Sequence, residues 1–277
     1  MKRFDTAEWV GPREQAGWAG WAGRAGRGGV ASRAGAARWG LICALLMYVA
    51  ARLGAAASPA VVDKTFADFW AARDPGQAQV AAAAVVKSGV AFDEARARLK
   101  RGRTYSPDAP RGIVRLSHHL GSYDFAYQLD VPQTYDPARK YQVRVQLHGG
   151  VGRPDPSPRG NGIGALGGAE QIYVLPTAWS EATWWTDIQV DNLRYILDTL
   201  KRTYNVDENR VAVAGVSDGA TAAYYFAMRD TTPFSSFLPL NGALVVLTNP
   251  RNGIEGDLYA NNLLNKPFFV VNGGRDM

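Results

Sequence analysis

One five-residue stretch constrains this chain more than any other: Gly215-Val216-Ser217-Asp218-Gly219. The apolar run Val211-Ala212-Val213-Ala214 precedes it, and a helical pattern from Asp218 to Met228 follows. A chain that passes from buried strand to helix in one tight turn needs small residues on both sides of that turn, or strand and helix cannot approach. Such a turn lifts the serine hydroxyl above the sheet edge. It also sets it beside the N–H groups that the first turn of a helix leaves unpaired.

The flanking patterns predict the rest of the sheet. Gly112–Leu116 is a short apolar strand. Tyr123–Val131 alternates, with Phe125, Tyr127, Leu129 and Val131 on one face. Tyr141–Leu147 does the same through Val143, Val145 and Leu147. Ile172–Leu175 reads as a buried strand, and Thr186–Gln189 has the spacing of a capping box. Leu193, Ile196, Leu197 and Leu200 form a helical apolar stripe. Phe237–Asn241 and Phe268–Val271 close the series as strands. Strands alternating with helices imply an α/β fold with a mostly parallel sheet covered on both faces.

Ahead of this domain (111–277), residues 58–110 read as a helical segment. Val62, Phe66, Phe69 and Trp70 share a face, and Asp74-Pro75 looks like an N-cap with proline in the first turn. Gly89 and Gly102 end the two following helices. Residues 1–57 are different. They hold 8 Lys+Arg and 3 acidic residues, against 23 and 22 in the remainder. The basicity of the chain therefore sits in its leader, and the body has no nucleic-acid footprint. Within the leader, the apolar run Trp39–Ala51 and the small residues Ala55-Ala56-Ala57 have the form of a secretory signal peptide. The run is short for a membrane span. The expectation is a secreted or periplasmic protein, with anchoring through residues 39–57 as the alternative and membrane contact only there. The one cysteine, Cys43, lies in the leader, so no disulfide framework or cysteine-rich metal site is expected. No phosphate-binding glycine loop or carboxylate–histidine cluster occurs, and no cofactor or metal is expected.

A second motif, Leu147-His148-Gly149-Gly150, ends a strand about 65 residues before the serine turn. With it, the chain resembles the α/β-hydrolase superfamily from about Arg111 to Met277, and within it the secreted esterases related to polyhydroxybutyrate depolymerases and feruloyl esterases. Tyr204–Arg210 and Val271-Asn272-Gly273-Gly274-Arg275-Asp276 add to the likeness. The resemblance implies Ser217 as nucleophile and Asp276 as the acid of the triad. Asp257 precedes the last strand and is a poor rival for that role. It also implies an oxyanion site made by the N–H of Asp218 and by Gly149 and Gly150. Trp184-Trp185 is a candidate lining for a substrate pocket. The substrate implied is a small-molecule or polymeric ester.

One departure is large. The fold places its triad in the order serine, acid, histidine, and no histidine follows Ser217. His118, His119 and His148 all precede it. His118 and His119 are expected between the first two strands, and His148 belongs to the glycine loop. The simplest account is a chain that stops short of the final strand and helix; a protein that lacks the base is the alternative. Three readings stand: a serine esterase, a peptidase of the prolyl-oligopeptidase-like branch, and a non-catalytic binding protein that kept the fold.

Overall fold

A computed structural model describes residues 57–154, 170–254, 256 and 258–275. The leader, most of the glycine/proline-rich loop after β3, Asp257 and Asp276 lie outside the described residues. Three helices come first: α1 (Pro59–Ala71), α2 (Pro75–Lys87) and α3 (Phe92–Arg101). The Asp74 carboxylate accepts the N–H of Gln77 at 2.9 Å, and Pro75 opens α2, as its sequence requires. Gly89 and Gly102 end α2 and α3 with φ of 68° and 72°, a region only glycine enters freely.

The sheet has six strands: β1 (Gly112–Leu120), β2 (Tyr123–Val131), β3 (Tyr141–Leu147), β4 (Gln171–Pro176), β5 (Val206–Val216) and β6 (Ser236–Leu240). Their spatial order is β1-β2-β4-β3-β5-β6. The β1–β2 and β2–β4 pairs are antiparallel, and all others are parallel. The fold is of the α/β class with a mostly parallel sheet, with helix α4 (Asp187–Thr203) between β4 and β5 and helix α5 (Asp218–Arg229) between β5 and β6. A short helix, α6 (Leu244–Thr248), follows β6. Residues 267–271 run parallel to β6 and touch it at two bridges, Phe237–Phe268 and Leu240–Val271. The strand expected at 268–271 is thus present only as a loosely paired edge.

Alternation explains the core. Val143, Val145 and Leu147 of β3 are buried with Ile172 and Val174 of β4 and Val211 and Val213 of β5. Leu193, Ile196, Leu197 and Leu200 of α4 join the same cluster, as does α5, buried from Gly219 to Met228. The sheet is less evenly covered than expected. Gln142, Arg144 and Gln146 occupy the other positions of β3 and are only half-buried, while Tyr173 and Leu175 form a separate small cluster.

Three expectations need correction. His118 and His119 do not fall between strands: β1 continues to Leu120 and pairs down to Leu120–Tyr123. An edge strand exposed along much of its length carries no apolar alternation to announce it. β5 likewise begins at Val206, through a charged stretch without a strand pattern. The capping box is not made. The Thr186 hydroxyl donates to the Thr183 carbonyl, and the Gln189 side chain is buried, donating to the carbonyls of Thr177 and Ala182. A fully buried amide must be paired, so Gln189 braces the segment before α4 instead of capping it.

Candidate active site

The β5–α5 turn is strained in the way its sequence suggests. Ser217 has φ 56° and ψ −122°. A side chain rarely adopts this conformation, which costs on the order of 1–3 kcal/mol unless the surroundings impose it. Here they do. The Ser217 N–H donates to the Leu240 carbonyl at 3.1 Å, and its carbonyl accepts from Ala220 at 2.8 Å and Thr221 at 3.0 Å. A Cβ on Gly215 would overlap the carbonyl of Gly219, and a Cβ on Gly219 would overlap the carbonyl of Leu147. Both glycines are therefore steric necessities, one for the turn and one for packing on β3. Ser217 itself is exposed.

The glycine loop lies directly against this turn. A Cβ on Gly149 would come within 2.9 Å of the Ser217 Cβ and 3.0 Å of the Val216 carbonyl oxygen. Gly150 has φ 71°, with open space where a side chain would be. The Val151 N–H donates to the Asp218 carboxylate at 2.9 Å, tying the loop to the start of α5. His148 holds it from within: Nδ1 lies 2.9 Å from the Gly149 carbonyl, and Nε2 accepts the Ala178 N–H at 3.1 Å. These contacts assign the ring to the neutral tautomer with the proton on Nδ1. The backbone of the loop thus lies beside the serine and the first turn of α5.

Trp184 and Trp185 are placed differently from a pocket lining. They are buried, at 0 % and 6 % exposure, within the main core. The Trp184 indole N–H donates to the His148 carbonyl at 2.9 Å. Trp184 supports the glycine loop from behind. Sequence reasoning missed the Asp218 carboxylate, whose contact spans 67 residues and leaves no local signal.

In front of Ser217 lies a cleft of about 350 Å³ whose lining includes Asp218, Thr221, Asn241, Val246 and Asn272. Asn241 was also missed. It has φ 56°, its N–H donates to the Val271 carbonyl at 2.7 Å, and its side-chain oxygen accepts the Gly273 N–H at 2.8 Å. The Asn-Gly pair at 241–242 was the available signal, since asparagine tolerates this left-handed backbone. Asn241 so brings Asn272 and Gly273 to the serine side of β6. Asp276, three residues further on, lies outside the described residues.

None of the three histidines is placed as a base for Ser217. His148 is engaged in the loop. His119 is exposed and bonded to Asp124 at 2.9 Å across the β1–β2 hairpin. His118 is buried, stacked on Tyr195 with ring centroids 3.9 Å apart. Burial lowers its pKa below the usual value of 6.5. Both residues sit on β1, four strands from β5, or about 19 Å at the usual strand spacing. Among the described residues no group of three or more His, Cys, Asp or Glu is placed to hold a metal ion. No described helix is long and apolar enough to cross a membrane.

No protein-family model matches the chain, and no curated protein does. Solved structures do. A thermostable esterase aligns at 17 % identity and TM-score 0.41, covering 59 % of this chain and 55 % of its own. A ferulic acid esterase aligns at 17 % identity and TM-score 0.38, covering 50 % and 60 %. An acylaminoacyl peptidase from Pyrococcus horikoshii aligns at 15 % identity and TM-score 0.39, covering 55 % and 25 %. The chain spans little more than half the length of the esterases and a quarter of the peptidase.

Proposed function

We propose that this protein is a serine hydrolase that cleaves carboxylic esters through an acyl-enzyme on Ser217. The observation that carries the reading is the exposed Ser217 at φ 56° with the Gly149 backbone against it. In the proposed reaction the Ser217 oxygen attacks the ester carbonyl. The developing oxyanion is received by the N–H of Asp218 and by N–H groups of Gly149-Gly150. The alcohol leaves with the proton taken from the serine, and water then releases the acid. Asp276 is proposed to orient the histidine that carries that proton. His118, His119 and His148 do not fill this role, so the base is proposed to come from outside this sequence. The acyl cleft is that formed by Thr221, Asn241 and Val246.

The test is hydrolysis of p-nitrophenyl esters by this sequence and by the product of its full reading frame, each beside its Ser217→Ala variant. The expected result is turnover in the full product that Ser217→Ala abolishes, and little turnover in the present sequence. Turnover that survives Ser217→Ala overturns the reading. Cleavage of aminoacyl anilides in preference to esters redirects it to a peptidase.

A further inference from the structure

A cavity of about 520 Å³ lies away from Ser217. It opens between α1, α3 and the last turn of α4. Phe66 and Trp70 supply its apolar side, and Asp63, Arg98, Arg101, Arg103 and Arg202 its charged side. Arg202 ends α4 just before Val206, where β5 begins, whereas Ser217 follows the other end of that 11-residue strand. At the usual rise of about 3.3 Å per residue the two places are on the order of 30 Å apart.

Arg98, Arg103 and Arg202 are not equally occupied. Arg98 bonds Asp63 at 2.9 Å and Glu94 at 2.6 Å. Arg202 bonds Asp198 at 2.7 Å and donates to the Ala72 carbonyl. Arg103 donates to the Trp70 carbonyl and lies over the Trp70 indole, 5.5 Å from its centroid. Among the described residues it has no carboxylate partner. Holding the C-terminal end of α1 uses one of its five donors. Burial, and then the nearby charge of Arg202, lowers its pKa.

A planar guanidinium fork matches a carboxylate in two parallel hydrogen bonds. An aromatic wall beside it favours a flat apolar body, and the volume is that of a small-molecule site. We propose that this cleft binds an aromatic carboxylate, its carboxylate on Arg103 and Arg202 and its ring against Phe66 and Trp70.

The test is calorimetric titration of the protein with benzoate, acetate, benzyl alcohol and inorganic phosphate, in wild type, Arg103→Met and Ser217→Ala. Benzoate is expected to bind at least tenfold more tightly than the other three, Arg103→Met to lose at least tenfold, and Ser217→Ala to bind as wild type does. Acetate or phosphate binding as tightly as benzoate overturns the proposal, because charge alone then suffices. Benzoate binding that survives Arg103→Met, or is lost in Ser217→Ala, overturns it as well. If Arg103→Met does not fold, Arg103→Lys replaces it: the charge stays, the fork is lost, and at least a fivefold loss is expected.

Discussion

On one side of the Ser217 cleft, the backbone is held by close contacts with its neighbours. Gly215 and Gly219 leave no room for a Cβ, Gly149 abuts the serine, and Asp218, His148 and Trp184 tie the loop down at three points. On the other side, residues 267–273 are held to β6 by two bridges, the Asn241 side chain and the stacking of Phe268 on Phe237, with Phe269, Val270 and Val271 exposed. The difference teaches how such a site is specified. The position of Ser217 and of the glycine loop follows from close steric fit against a core. The segment that leads toward Asp276 depends on a few backbone hydrogen bonds, the Asn241 side chain and the packing of one ring, Phe268, on Phe237.

Substitutions sharpen that comparison. Gly219→Ala is expected to have the largest effect, a loss of more than about 3 kcal/mol or failure to fold, because the new methyl meets β3 backbone and no side chain can yield. Denaturant unfolding measures it; a loss below about 1 kcal/mol would break the claim of forced geometry. Asp218→Ala comes next. It strands the buried Val151 N–H and should cost about 1–2 kcal/mol, while Asp218→Asn, which keeps an acceptor, costs less. Asn241→Ala removes the acceptor for Gly273 in an exposed setting, so about 1 kcal/mol or less is expected, with faster amide exchange confined to 271–273. Exchange that also rises in the glycine loop would show that the two sides are not independent.

A control lies on the far edge of the sheet. Burial holds the His118 pKa below 6.5 in the folded protein. Its unfolded state therefore binds the proton more readily, so stability present above about pH 6.5 falls as the pH drops below it. His118→Phe should flatten that part of the stability profile without changing either side of the cleft.

Much of this was legible in the sequence. Gly215–Gly219 and His148-Gly149-Gly150 announced their own geometry, because glycine at fixed spacing records a steric constraint. The helices of residues 59–101 and strands β2, β3 and β4 followed from period and caps. What was hidden has a common cause. The second half of β1 and the start of β5 are largely exposed, so pairing there leaves no apolar pattern. Gln189, Asp218 and Asn241 act through contacts distant along the chain or through side-chain choices that look like ordinary polar residues. Trp184 was visible as a large aromatic, but only the fold shows that it faces the loop's back and not the cleft.

The most direct test of the account is to treat the product of the full reading frame with a fluorophosphonate and locate the adduct by peptide mass spectrometry. The account predicts a single adduct on Ser217, lost in Ser217→Ala and weakened when Gly149→Ala crowds the serine. An adduct on another residue, or no adduct in a folded protein, would contradict it.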